Sequence, residues 1–183
     1  MRQLLTPHPD SRRLAAAQIE VEVARPSANS LALSYIMTGP MNDVRVPPVT
    51  AAERGEKLWQ HTCFEAFVRA SGAAYYEFNF APSTQWAAYR FGGYRSGMCI
   101  AEEINTFAIE VQSAPDRYTL RTALDLDRLS VLPRTAVWRL GLSAVIEHTS
   151  GVKSYWALAH PPGTPDFHHV DGFAHEFFRV APS

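Results

Sequence analysis

Apolar and polar residues alternate along most of the chain with the two-residue period of half-buried β-strands. The alternation is clearest at Ile19–Ala24 (IEVEVA) and returns at Leu31–Met37. Gly and Pro residues then break the chain. The same pattern predicts eight more strands, at Cys63–Ala70, Tyr75–Ala81, Trp86–Phe91, Thr106–Gln112, Tyr118–Leu126, Val137–His148, Ser154–His160 and His175–Val180.

The connections between these strands are mostly of hairpin length, and helical periodicity is nearly absent. Two short helices are predicted, one over Ala51–Lys57 with Thr50 as its N-cap and one over Asp127–Val131 before Pro133. Many strands without alternating long helices are typical of an all-β protein. We therefore predict an antiparallel β-sandwich of jelly-roll-like type, formed as a single domain by residues 1–183.

The composition adds limits on partners and location. A net charge of −1 without a basic block excludes a typical nucleic-acid-binding surface. No apolar run is long enough to cross a bilayer, and the first residues lack the apolar core of a signal peptide. We expect a cytoplasmic protein with Cys63 and Cys99 reduced, no membrane partner, and an oligomeric state that the sequence does not decide.

Polar side chains inside the predicted strands are the main functional signal. By alternation, Glu65 shares a face with Cys63 and Phe67, while Glu77 and Asn79 share a face with Tyr75. The next strand carries Trp86, Tyr89 and Arg90. Two interpretations stay open at this point. The polar residues form a solvated outer face with cross-strand ion pairs, or they form a concave surface where a sugar ring stacks on aromatic side chains and its hydroxyls bind planar polar groups.

Catalytic alternatives rest on weaker patterns. His160, Asp166 and His168 supply the two-histidine, one-carboxylate ligand set of an open zinc or iron site, which would make the protein a metal-dependent enzyme. Prolines around them make the segment irregular, so their relative orientation is not predictable. Glu65 with Glu77 as a glycosidase pair and His61 with Cys63 as a thiol pair are less favoured. The nucleophile elbow and the phosphate-binding loop are both absent.

Two stretches resemble a known family. The segments LWQHTCFEAFV (Leu58–Val68) and YYEFNFAPSTQWAAYRF (Tyr75–Phe91) resemble the DOMON-like superfamily, and in particular bacterial stand-alone proteins related to family 9 carbohydrate-binding modules. The tail SYWALAHPPGTPDFHHVDGF is similar to the end of such proteins. The resemblance implies a β-sandwich that binds a ligand on a concave face. That ligand is a sugar in related modules and haem in other DOMON domains.

The resemblance places Trp59, Glu65, Glu77, Asn79 and Trp86 at matching positions. Two departures stand out, because His61-Thr62 replaces residues that are often acidic and Thr84 replaces a glycine that is common before the tryptophan. For haem, an axial ligand would have to come from Met98, His61 or His160. No cofactor is expected, although haem and a divalent metal are kept as alternatives.

The sequence therefore predicts a non-catalytic small-molecule-binding module, with carbohydrate as the leading ligand class. Trp59, Trp86 and Tyr89 would provide stacking surfaces. The predicted ligand-binding set as a whole is Trp59, Glu65, Glu77, Asn79, Trp86, Tyr89, Arg90 and Arg95.

Overall fold

The computed structural model describes residues 1–11, 16–133 and 136–178, and within them the chain is built from β-strands and single 3-10 turns. The strands are β1 (Arg2–Pro7), β2 (Gln18–Ser27), β3 (Ser30–Thr38), β4 (Cys63–Arg69), β5 (Tyr75–Phe80), β6 (Trp86–Phe91), β7 (Cys99–Ile100), β8 (Glu110–Ala114), β9 (Arg117–Asp125), β10 (Val137–Glu147), β11 (Lys153–Ala157) and β12 (His175–Phe178). The 3-10 turns are Met41–Asp43, Leu58–Gln60, Leu126–Arg128 and Val170–Gly172.

The all-β prediction is confirmed, and most strands lie where the alternation predicts them. The predicted strand Thr106–Gln112 is displaced to Glu110–Ala114, and β1 and β7 were not predicted. The end of the last predicted strand, at 179–180, lies outside the described residues. The predicted helix Ala51–Lys57 is wrong, because the segment is irregular and its middle pairs with the start of β6: Arg54 bridges to Trp86, and the Gly55 amide donates to the Trp86 carbonyl at 2.8 Å.

The strands form one strongly curled antiparallel sheet, a half-barrel, in the order β7-β6-β5-β4-β10-β11-β1-β2-β3-β9-β8, with β12 pairing along part of β10. The predicted sandwich of two separate sheets is not confirmed, because β1 joins the two halves. Its first residues pair with β2, where Leu5 lies opposite Ile19, and its last residues pair with β11, where Thr6 lies opposite Ala157. The described residues include no helix long and apolar enough to span a membrane.

The main core lies where the curled halves of the sheet face each other. Tyr35 of β3 packs on Phe64 of β4 with ring centroids 5.1 Å apart, and Phe64 stacks on Tyr118 of β9 at 6.2 Å. The Tyr35 hydroxyl donates a 2.6 Å hydrogen bond to the Glu65 carbonyl and so ties the two halves together. A second, smaller apolar cluster covers the other face of β4 and β5, which are consequently buried on both faces.

Removing the Tyr35 hydroxyl tests this link between the halves. Tyr35→Phe should lower the free energy of unfolding by about 1–3 kcal/mol, because it removes a buried hydrogen bond and leaves its site desolvated. Tyr118→Phe is the matched control, since its hydroxyl reaches the Pro82 carbonyl only at 3.4 Å. Urea denaturation measures both variants. Equal losses in the two would contradict a special role for the Tyr35 bond.

Candidate ligand-binding site

Strands β4, β5 and β10 bring four polar side chains together on the face that points away from the main core. Glu65 lies opposite Asn79 on β5 and opposite Ser143 on β10, and Glu77 lies two residues from Asn79 on the same face. Facing residues of antiparallel neighbours share one side of a sheet, so these side chains converge. We call Glu65, Glu77, Asn79 and Ser143 the carboxyl cluster.

Hydrogen bonds inside the carboxyl cluster satisfy groups that water does not reach. The Asn79 amide donates to Glu77 Oε1 at 2.7 Å, and the Ser143 hydroxyl donates to Glu65 Oε2 at 3.2 Å. The Cys63 thiol approaches Asn79 Oδ1 at 3.6 Å. Glu65 is 3% exposed and Glu77 is 6% exposed, so both carboxyl groups are nearly removed from solvent.

Burial changes the protonation of this pair. Desolvation raises the pKa of Glu65 well above its ordinary value, and the neighbouring charge of Glu77 raises it further. Burial also raises the pKa of Glu77, although the hydrogen bond from Asn79 and the positive charge of Arg95 oppose that rise. The cluster therefore favours a protonated Glu65 beside a more readily ionised Glu77.

A loop between β11 and β12, residues 158–174, covers the carboxyl cluster, and we call it the capping loop. His168 of this loop lies above Glu77, with Nε2 3.7 Å from Glu77 Oε2, and its Nδ1 lies 2.8 Å from the Tyr75 hydroxyl. Burial and the charge of Arg95 lower the pKa of His168 to about 4. The imidazole is consequently neutral at physiological pH.

Asp166 fastens the capping loop to the hairpin between β6 and β7. Its Oδ1 accepts from Arg95 Nη2 at 2.7 Å and from the backbone amide of His168 at 3.1 Å, and its Oδ2 accepts from the Tyr94 hydroxyl. Burial alone would favour the neutral acid, but the hydrogen bonds from Tyr94 and Arg95 prevail and lower the pKa of Asp166. Arg95 itself has a φ of 48°, in the left-handed region that a tight hairpin turn uses.

Close packing holds the rest of the capping loop against the sheet. Gly141 of β10 leaves room for it, since a Cβ there would stand 3.1 Å from the Gly172 carbonyl oxygen and 3.3 Å from the Phe67 Cβ. Phe173 packs edge-on against Phe67 at 6.1 Å and against Tyr75 at 5.7 Å. A side chain at position 141 would therefore require the Gly172 carbonyl or Phe67 to shift by a few tenths of an ångström.

Beside the capping loop is an open cavity of about 310 Å³. We call it the aromatic cavity. Its lining residues are Arg69, Ala73, Tyr75, Tyr94, His168, His169, Val170 and Phe173. The Arg69 guanidinium lies over the Phe173 ring, 5.3 Å from its centroid, and donates one hydrogen bond of 2.7 Å to the Gly72 carbonyl. The exposed ring of Tyr94 and the Arg69 guanidinium thus border one space, and buried aromatic side chains form much of the rest of its wall.

The structure brings together some of the residues that the sequence predicts as ligand-binding. Glu65, Glu77 and Asn79 form the carboxyl cluster, and Tyr89 lies opposite Glu77 on the same face. Arg95 is near enough for its charge to lower the pKa of Glu77, and it pairs with Asp166 of the capping loop at 2.7 Å. The buried residues of the carboxyl cluster therefore support the capping loop from beneath. The aromatic cavity lies to the side, next to His168.

Trp86, Arg90 and Trp59 lie elsewhere. Trp86 is opposite Phe80 in the register and so points to the main core, where it packs against Phe107 at 5.2 Å and beneath Arg54 at 4.4 Å. Arg90, on the same side of β6, pairs with Glu103 at 3.5 Å. Trp59 lies in a 3-10 turn next to β4 and is 49% exposed.

The residues of the metal hypothesis do not converge. His160 Nε2 is 2.8 Å from the Thr6 carbonyl oxygen and its ring packs on His8, whereas Asp166 and His168 have the partners described above. Throughout residues 1–11, 16–133 and 136–178, no three His, Cys, Asp or Glu side chains are placed to hold one metal ion.

Sequence reasoning did not select Ser143, Arg69, Tyr94, His169 or Phe173. Alternation along β4 places Arg69 on the same face as Glu65 and Phe67, so the strand pattern could have identified it. Tyr94, His169 and Phe173 come from loops, which have no periodicity that could reveal their direction.

The comparisons with known proteins show the fold. The sequence matches no protein-family model and no curated protein. Among solved structures, the fold is similar to that of a candidate carbohydrate-binding protein from Bacteroides uniformis ATCC 8492, with a TM-score of 0.67 and 14% sequence identity over 92% of this chain and 82% of that chain. At this identity the likeness concerns the arrangement of strands.

The position of Trp86 leads to a stability prediction. Trp86→Ala should lower the free energy of unfolding by about 3–5 kcal/mol, as expected for an aromatic side chain removed from a packed core. Trp59→Ala is the control and should change the unfolding free energy little, because Trp59 is half-exposed. Urea melts followed by circular dichroism measure both. A fully stable Trp86→Ala variant would contradict the core placement.

The raised pKa of Glu65 predicts a pH dependence of stability. A carboxyl group whose pKa is higher in the folded state stabilises the fold below its unfolded pKa and loses this contribution as the pH rises through the folded value. Glu65→Gln cannot ionise, so its stability relative to the wild type should increase as the pH rises above the ordinary pKa of a glutamate, by about 1.4 kcal/mol per unit of pKa difference between the folded and unfolded states.

Urea denaturation at several pH values measures this difference. Glu102→Gln is the control, because Glu102 is exposed and its substitution should leave the shape of the profile unchanged. Parallel profiles for Glu65→Gln and the wild type would show that Glu65 is ionised in the folded protein and would contradict the prediction.

Proposed function

We propose that this protein is a non-catalytic binding module that takes a carbohydrate in the aromatic cavity. The observation that carries the proposal is the combination of aromatic walls and planar polar groups around one open space of about 310 Å³. This volume lies at the lower end of the range for small-molecule sites and suits a small ligand. Tyr94, which is 58% exposed, supplies an open ring face and Arg69 supplies planar donors, while the rings of Tyr75, His168 and Phe173, which are mostly buried, form the wall behind them.

The chemistry of these groups suits a pyranose. The C–H face of a sugar ring packs on aromatic faces, and its hydroxyls both donate and accept hydrogen bonds. Arg69 has one donor engaged with Gly72, and its other N–H groups are available to sugar oxygens. His168 is neutral, since its pKa is about 4, so it does not require an anionic partner.

The carboxyl cluster supports this cavity from beneath. Glu77 lies under His168, Asn79 orients Glu77, and Asp166 fixes both the loop backbone and Arg95. Preorganised side chains lower the entropic cost of binding. In this proposal, Glu65, Glu77, Asn79 and Arg95 act as supporting residues rather than direct ligands, and Trp86 and Arg90 are left out because they face the other side of β6.

The structural likeness to a candidate carbohydrate-binding protein from Bacteroides uniformis supports a sugar as the ligand class. A place in the DOMON-like superfamily, near the family 9 carbohydrate-binding modules, agrees with this function and is part of the proposal. The two-layered sandwich typical of that superfamily, the single domain, the cytoplasmic location and the lack of a cofactor stay predictions.

A saccharide panel tests the proposal. Neutral mono- and disaccharides are screened by saturation-transfer NMR, and the strongest binder is measured by isothermal titration calorimetry. Arg69→Gln should weaken binding at least about tenfold, because charge-assisted hydrogen bonds contribute about 1.5–3 kcal/mol. Arg121→Gln carries the same substitution on the distant half of the sheet and should bind like the wild type.

Two results would overturn the proposal. One is that no neutral sugar of the panel binds at millimolar concentration. The other is that a sugar binds equally to the wild type and to Arg69→Gln, which would place the ligand elsewhere. Circular dichroism of both variants shows that they are folded before binding is compared.

A further inference from the structure

The half of the sheet that does not carry the carboxyl cluster has an open groove of about 530 Å³ across β2, β3, β8 and β9. We call it the arginine groove. Its lining residues are Glu22, Ser34, Ile36, Gln112, Ser113, Ala114, Arg117, Thr119 and Arg121. Arg117, Thr119 and Arg121 alternate along β9 and therefore point to the same face.

The two arginines of the groove are exposed and unengaged. Among the residues that the structure describes, neither guanidinium forms an ion pair or a hydrogen bond. Glu22, the acidic residue that lines the groove, pairs with Arg2 instead and accepts a 2.6 Å hydrogen bond from it. Glu110 lies opposite Arg121 in the register of β8 and β9 but forms no ion pair with it. Two positive charges thus face solvent across a concave surface.

The floor between the arginines offers neutral hydrogen-bonding groups. Thr119 is 6% exposed and lies opposite Ile36 on β3 and opposite Gln112 on β8, while Ser34 lies opposite Arg121. Hydroxyl and amide groups of this kind suit the hydroxyls of a sugar. Four residues along a strand separate the two arginine Cα atoms by about 14 Å, so one extended ligand can reach both.

We propose that the arginine groove is a second ligand site that binds an acidic oligosaccharide, with its acid groups at Arg117 and Arg121 and its hydroxyls over Thr119, Ser34 and Gln112. Guanidinium groups bind carboxylates and sulfates through paired hydrogen bonds. This site is independent of the aromatic cavity.

Other anionic partners fit the groove less well. None of its lining residues is aromatic, so it offers no stacking surface for the bases of a single-stranded nucleic acid. Two arginines are also few for a phosphate backbone, and the chain as a whole carries a net charge of −1. An acidic peptide that added a strand at the edge strand β8 would lie beside residues 112–114, one strand away from the two arginines of β9, rather than over them.

Calorimetric titration with trigalacturonate tests the proposal. Maltotriose, a neutral trisaccharide, is the ligand control, and a sulfated heparin-type oligosaccharide distinguishes sulfate from carboxylate as the acid. Arg117→Gln and Arg121→Gln should each weaken trigalacturonate binding about tenfold or more, and the double variant should abolish it. Arg69→Gln in the aromatic cavity should leave it unchanged. Both groove arginines are exposed, so the variants should fold normally, which circular dichroism checks.

The outcomes separate this site from the proposed function. Binding of either acidic sugar that depends on Arg117 and Arg121 supports the groove, and the preferred probe identifies the acid. Trigalacturonate binding that depends on Arg69 alone would move the acidic ligand to the aromatic cavity and overturn the groove while leaving the proposed function intact. The groove is also overturned if neither acidic sugar binds at millimolar concentration, if maltotriose binds equally well, or if a single-stranded oligonucleotide binds more tightly.

Discussion

Two carboxyl groups that are buried under a loop lose their hydration, and the loss must be offset by hydrogen bonds and protonation. The structure uses both means at Glu65 and Glu77. Ser143 and Asn79 each donate a hydrogen bond to one oxygen of a carboxyl group, and the desolvated environment favours the protonated form of Glu65. The same burial acts on the capping loop, because it and the charge of Arg95 keep His168 above Glu77 neutral at physiological pH.

The burial of β4 and β5 on both faces explains how the cavity obtains its shape. One face of this strand pair packs in the main core, and the other is covered by Phe173 and its neighbours in the capping loop. Side chains fixed from beneath have few alternative conformations, so the cavity walls are held in place before a ligand arrives. Asp166 adds the last constraint, because it holds the loop and the β6–β7 hairpin together.

The predictable parts of the fold and the site are those that local alternation determines. Glu77 and Asn79 share a face because they are two residues apart on β5. Glu65 joins them because it lies opposite Asn79 in the pairing of β4 and β5. Trp86 shows the limit of the method. The residues of β6 alternate clearly, but alternation does not say which face of β6 lies on the side of the carboxyl cluster. The pairing of Trp86 with Phe80 decides this and places Trp86 on the side of the main core. The long-range pairings of β1, which turn two predicted layers into one curled sheet, have no local signal either.

Turn chemistry shows the same limit. The resemblance seen in the sequence leads to the expectation of a glycine at position 84, and the φ of Thr84, 72°, lies in the left-handed region that favours glycine. The expected turn is therefore present although the expected residue is not. Its hydroxyl donates a 2.9 Å hydrogen bond to the Thr50 carbonyl, which helps to hold a strained backbone in place.

The joint at β1 has a consequence for how the protein folds. Thr6 bonds to Ala157 across a sequence separation of 151 residues, and this pairing closes the connection between the two halves of the sheet. Contacts between distant parts of a chain form late, because a large loop must be closed before they contribute stability. Each half can begin to assemble from its own hairpins, but the continuous sheet requires both ends of the chain. Folding should therefore be slow and should end with the pairing of β1 and β11.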